Sequence, residues 1–163
     1  MTPAPFDPRF LRQALGRFAT GVTIVTCRDS DGRPVGLTAN SFNALSLEPP
    51  LVLWSLRSRS PSLAAFREAP GFAVNVLGEA QVELSRRFAS AEADKFAEGQ
   101  WSAGLDGVPV LAGCAAVFEC GRFDLREAGD HWLFIGRVRR AFEAPIAPLV
   151  FQSGRYHLLG EIL

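Results

Sequence analysis

From Pro8 onward, the apolar positions Phe10, Leu11, Ala14, Leu15 and Phe18 share one face of a 3.6-residue period, behind a capping carboxylate at Asp7 and a proline in the first turn. That spacing predicts a helix closed by Gly21. The pattern then turns β-rich: VTIVTC (22–27) and VGLTANSF (35–42) flank the turn SDGRP (30–34), which predicts a hairpin. LVLWSL (51–56), behind Pro49 and Pro50, is apolar on both faces, as in a strand covered on both sides. Alternation sets Trp54 opposite Leu53 and Ser55, which points it toward a dimer seam.

Ser60 and Pro61 open a short helix, SPSLAAFRE, that Pro70 and Gly71 stop, and FAVNVL (72–77) is a further strand. Residues 79–98 read as helical in two pieces. Two longer strands, 112–125 and 131–142, are joined by REAGD, and VFQSGRYHLLG supplies one more short strand. Six or seven strands with few short helices disfavour a doubly wound βαβ sheet and predict a mainly β, closed or nearly closed barrel. Trp132, Leu133, Phe134 and Ile135 offer large apolar groups to both faces of one strand, so one face needs a cover, which either the chain's own helices or, at little cost, a twofold partner would supply.

With 163 residues and 48% hydrophobic content, the chain suits one domain spanning residues 1–163 with a real core. Seventeen basic residues balance seventeen acidic ones, so no bulk field favours nucleic acid or a charged membrane. No leader pattern and no apolar run near the ~18 residues of a membrane helix occur, which predicts a cytoplasmic protein. Cys27, Cys114 and Cys120 fit no CxxC or zinc spacing and read as buried thiols, with no metal site expected.

There is no GxGxxG or Walker loop, no GxSxG elbow, and only two histidines, so Rossmann, P-loop and hydrolytic-triad chemistries all lack their parts. What remains suits a planar, phosphorylated ligand. Thr38, Ala39, Asn40 and Ser41 form a polar knot able to answer a heteroaromatic edge, although the same residues also suit a capped turn. RSRSPS (57–62) places two arginines and three serines at a strand end and helix start, a natural anion seat. Arg87 and Phe88 end a helix, His131 follows a Gly-Asp turn, and Tyr156 lies on the last strand.

Together GVTIVT, TANSF followed by SLEPPLV, FAVNVL, RRFA, GDHWLFIGRV and GRYHLLG resemble the flavin reductase family of FMN-binding split barrels, the small components of two-component flavin-dependent monooxygenases. The resemblance covers nearly the whole chain. It implies a dimeric, Greek-key split barrel that passes hydride from NADH or NADPH to FMN or FAD. Reduced flavin would then serve a partner monooxygenase. In residues, it implies that Thr38 to Ser41 line the isoalloxazine, that Ser55, Leu56, Arg57, Ser60 and Ser62 hold the ribityl chain and phosphate, and that Arg87 and Phe88 lie near the phosphate or adenine. His131 would place the nicotinamide, and Tyr156 belongs to the same cofactor-binding set. A flavoprotein binding FMN as an electron carrier or sensor, without nicotinamide turnover, is the alternative.

Overall fold

The computed structural model describes residues 7–163. Helix α1 (Pro8–Leu15) starts where the sequence predicts, with Asp7 Oδ1 accepting from the Arg9 N–H at 2.9 Å. It ends at Gly16 rather than Gly21, because Thr20–Gly21 is strand β1, paired with Val150 and Phe151. β2 (Thr23–Arg28) and β3 (Pro34–Ala39) make the expected hairpin, and β4 (Asn43–Leu47) turns directly into β5 (Pro50–Arg57). After α2 (Leu63–Glu68) come β6 (Gly71–Val76) and α3 (Val82–Ala89). In the second predicted helical piece only a 3-10 turn forms, at Lys95–Ala97.

β7 (Trp101–Ala103) and β8 (Pro109–Leu111) pair with each other, and β9 (Ala116–Ala128) and β10 (His131–Glu143) form a long hairpin closed by Gly129 and Asp130. The chain ends in a second hairpin, β11 (Val150–Gln152) and β12 (Arg155–His157), where a single strand was expected. Among the described residues, twelve strands thus replace the predicted six or seven. Apart from β4, the extra ones have two or three residues, too few for a two-residue period to show.

Seven strands form one sheet in the order β3-β2-β6-β9-β10-β5-β4. The sheet curls until β3 approaches β5. No ladder joins those two strands; instead Ser41, just past β3, takes the Ser55 N–H at 2.9 Å and donates its hydroxyl to the Ser55 carbonyl at 3.0 Å. The barrel is therefore closed on all sides but one seam. Its interior is filled by Trp54, Phe66, Phe72, Phe134, Val25 and Val74. Trp54 is fully buried and stacks on Phe134 across β5 and β10, at 4.6 Å between centroids and 14° between planes. It faces the barrel interior and not a dimer seam, since alternation separates two faces without saying which is inside.

A second core lies on the other face of β2, β6 and β9, where Val22, Ile24, Leu77, Leu111, Val117 and Leu149 pack under α3 and β8. Polar bonds fasten that cover. Thr26 Oγ1 donates to the Pro109 carbonyl at 2.6 Å, and Asn75 accepts from the Leu111 N–H at 2.9 Å. Glu119, 2% exposed, accepts from the Leu105 N–H at 2.6 Å and pairs with the Arg140 guanidinium through both carboxylate oxygens. A Cβ on Gly104 would stand 2.0 Å from Glu119 Oε1, so only glycine lets the 104–105 turn approach.

Those bonds, the one from Arg140 foremost, hold the Glu119 carboxyl below its ordinary value of 4.5. Stability from Glu119 is therefore full above that value and drains away as pH falls through the lower, folded value. Glu119→Gln is expected to cost about 1.5–3 kcal/mol at neutral pH, the worth of a hydrogen bond to a charged group, and to flatten the acid limb of the stability curve. Urea unfolding of both proteins from pH 7 to pH 3 measures this; parallel acid limbs would contradict it. The three cysteines are buried and free, with thiols pushed up to about 12 by burial, as expected of inert core residues.

Candidate functional site: the cleft at the open seam

Where β3 and β5 part, their edges leave backbone groups that no neighbouring strand satisfies. The polar knot at 38–41 answers part of that need itself. Thr38 Oγ1 donates to the Ser85 carbonyl at 2.6 Å, tying β3 to α3, and Ser41 is the stitch to β5. Both hydroxyl protons are thus spent on backbone, while Asn40 is exposed and makes no hydrogen bond among the described residues. Valines would have removed the Ser41 bonds to the Ser55 backbone and the Thr38 bond to the Ser85 carbonyl, and closed the seam with apolar bulk.

The result is a cleft of about 630 Å³. One wall is Thr38, Ala39, Asn40 and Ser41, and a second is the end of β5, with Ser55, Leu56 and Arg57. The floor past β5 brings Ser60 and Ser62, and Phe88 closes the far side from the end of α3. The β9–β10 hairpin delivers His131, which as the first residue of β10 sits opposite Arg57 in the ladder. A volume of this size suits a compact organic ligand.

Two expected residues are not part of the lining. Arg87 points the other way: its guanidinium donates to the Lys95 carbonyl at 3.0 Å and the Asp94 carbonyl at 2.5 Å, and pairs with Glu92 at 2.9 Å. Tyr156 packs on Phe151, and its hydroxyl lies 2.8 Å from Ser85 Oγ. It is linked to the cleft wall indirectly, through Ser85, whose carbonyl accepts from Thr38 Oγ1. The anion seat is also built differently from the sequence expectation. α2 has only six residues, begins at Leu63 and has no side-chain cap, and Arg57, Arg59, Ser60 and Ser62 ahead of it line the cleft. Asn43 is exposed on β4, away from the lining.

Sequence reasoning missed Lys95, which lines the cleft with Ser90 and Arg59. Lys95 falls in a stretch with no clear period, though its being the chain's only lysine was a signal. With Arg57, Arg59 and Lys95 present and no acid in the lining, the cleft carries a positive balance that selects an anion. A neighbouring hollow of about 520 Å³ differs: Glu83, Glu92 and Glu98 offset Arg86 and Arg87 there.

His131 Nδ1 lies 2.7 Å from Asp130 Oδ1. That bond, then the charge of the imidazole, holds the Asp130 carboxyl below its ordinary value. A carboxylate can only accept, so Nδ1 donates and the ring is fixed at the cleft mouth by its neighbour.

The molecule is an almost closed β-barrel whose one open seam is a cleft with no acid in its lining, edged by hydroxyls, an amide and cations. Residues 15–160 match the Flavin reductase like domain, and the chain belongs to that family. The reductase subunit HsaB of a flavin-dependent monooxygenase from Rhodococcus jostii (strain RHA1) is 46% identical over 151 residues, covering 92% of this chain and 77% of its own length. A relative from Rhizobium meliloti (strain 1021) is 46% identical over 156 residues, and the chain spans about half of it, 50%. In structure, the NADH:FAD oxidoreductase SgcE6 of Streptomyces globisporus C-1027, solved in complex with NAD and FAD fragments, superposes with a TM-score of 0.89 at 38% identity, covering 96% of each chain. No described helix is long and apolar enough to cross a membrane.

Proposed function

We propose that the chain, as a single domain, is an NAD(P)H-dependent flavin reductase that takes FMN or FAD in the seam cleft and supplies reduced flavin to a partner monooxygenase. The acid-free cleft with its hydroxyl and cation edge carries this reading, and the family and the HsaB likeness support it. Flavin supplies the redox chemistry by accepting hydride from nicotinamide. The protein's tasks are to hold two rings at near-attack distance and to meet the negative charge that develops on the flavin. Asn40 and free backbone groups of the 38–41 wall face the ring's pyrimidine edge, Ser55 to Arg57 with Ser60 and Ser62 take the ribityl chain and phosphate, and His131 positions the nicotinamide.

Steady-state oxidation of NADH and NADPH, each with FMN and with FAD, tests the proposal. Turnover that requires added or bound flavin is expected; flavin binding without nicotinamide oxidation would point to an electron carrier. Ser60→Ala combined with Ser62→Ala is expected to weaken flavin binding by about 1.5–3 kcal/mol per lost bond to a charged group. Equal dissociation constants for the wild type and the double variant would move the phosphate elsewhere.

The proposal includes a homodimer. Phe10, Leu15 and Phe18 on and after α1 are 62%, 67% and 78% exposed, and Leu133 and Ile135 on β10 are only half-buried. Apolar surface of that kind calls for a partner. Light scattering should return twice the 17.7 kDa chain mass.

A further inference from the structure

We propose that Lys95 is the cation that grips a phosphoryl group of the nucleotide in the cleft, held on station by Arg87. This rests on the reading that the cleft takes a phosphorylated flavin nucleotide. Lys95 is the chain's only lysine, and it lines the cleft with Phe88 and Ser90. It is half-buried, and burial lowers its pKa from 10.5, with the charge of Glu92 pushing the other way. One of its three donors goes to the Phe88 carbonyl at 3.1 Å, which leaves two for a ligand. Glu92, the acid whose charge acts on Lys95, is bonded to Arg87 at 2.9 Å, and no acid lines the cleft among the described residues. A partly desolvated cation whose neighbouring carboxylate is bonded to another cation is short of counter-charge, which a phosphate supplies with short, charge-assisted bonds.

The same geometry explains why two cations close in space divide the work. One guanidinium, Arg87, holds Glu92, Asp94 and Lys95, the first by its side chain and the others by their carbonyls. Phe96 is locked next door between Phe88 and Trp101, at 5.0 and 4.8 Å between centroids. The backbone that carries Lys95 is therefore fixed on both sides, and the flexible four-carbon stem ends at a compact charge suited to phosphoryl oxygens.

The test compares FMN with riboflavin, which lacks the phosphate, by quenching of flavin fluorescence on the wild type, Lys95→Met and Lys95→Arg. Lys95→Met is expected to weaken FMN about tenfold to hundredfold, the equivalent of a charge-assisted bond, and to leave riboflavin within about twofold. Lys95→Arg should restore much of the FMN affinity. If FMN and riboflavin binding are both unchanged and only the KM for NADH rises, the phosphoryl group gripped is the nicotinamide nucleotide's. Equal losses for FMN and riboflavin would reduce Lys95 to a cap on α3, and no change in any ligand would also overturn the proposal. A wild-type protein that binds neither flavin is a different outcome, and contradicts the function itself.

Discussion

Trp54→Ala is expected to cost about 3–5 kcal/mol of stability, a large share of the 5–15 kcal/mol that a domain of this size commands. The indole is fully buried and sits at the centre of the barrel's aromatic cluster, stacked on Phe134 and meeting Phe66 edge-on at 4.9 Å and Phe72 at 5.8 Å. Alanine would leave a cavity that three rigid rings from different elements cannot collapse to fill. The Trp54 Nε1–H has no partner among the described residues, so Trp54→Phe, which keeps a ring and removes that buried donor, is expected to cost far less. Equilibrium denaturation of the three proteins decides the matter. An alanine variant within 1 kcal/mol of the wild type, on the order of a surface change, would place Trp54 outside the core.

His131→Ala is expected to slow NADH oxidation about a hundredfold while flavin affinity stays within about twofold, since misplacing a reacting group costs on that order. The imidazole lines the cleft from the β9–β10 hairpin, 38% exposed and bonded to Asp130, on a different element from the 38–41 and 60–62 segments. It can therefore act on the second ligand without holding the first. Parallel measurement of kcat and of the flavin dissociation constant separates the two roles. Unchanged turnover would remove His131 from the reaction, and an equal fall in flavin affinity would make it a flavin ligand.

Much of this site was legible in the sequence because its parts are local. The hairpin of β2 and β3, the run of β5 and the Gly-Asp turn before His131 each follow from a few adjacent residues, and the ladder then brings Arg57 and His131 together. What the sequence hid depends on distant pairing. α1 ends early because Thr20 and Gly21 are taken by a strand far along the chain. Trp54 turns inward because of how the whole sheet curls, which no local period records. Arg87 and Lys95 look alike as isolated cations; only the contact of the 92–95 segment with α3 assigns one to the backbone and the other to the cleft.

The polar knot has two roles that the sequence could not separate. Thr38 and Ser41 spend their hydroxyl protons holding the seam open at a fixed width, and Asn40 is free to meet a ligand. Among the described residues, Ser41 is the one side chain that hydrogen-bonds from the exit of β3 to β5, so the seam is both a structural joint and the proposed binding wall.

A crystal structure of the protein with FMN tests the central claim most directly. The expected result is an isoalloxazine ring lying along residues 38–41, its phosphate among Ser60, Ser62 and Lys95, and its other face open toward His131. Flavin bound elsewhere on the molecule, or a seam that stays empty at saturating FMN, would contradict it.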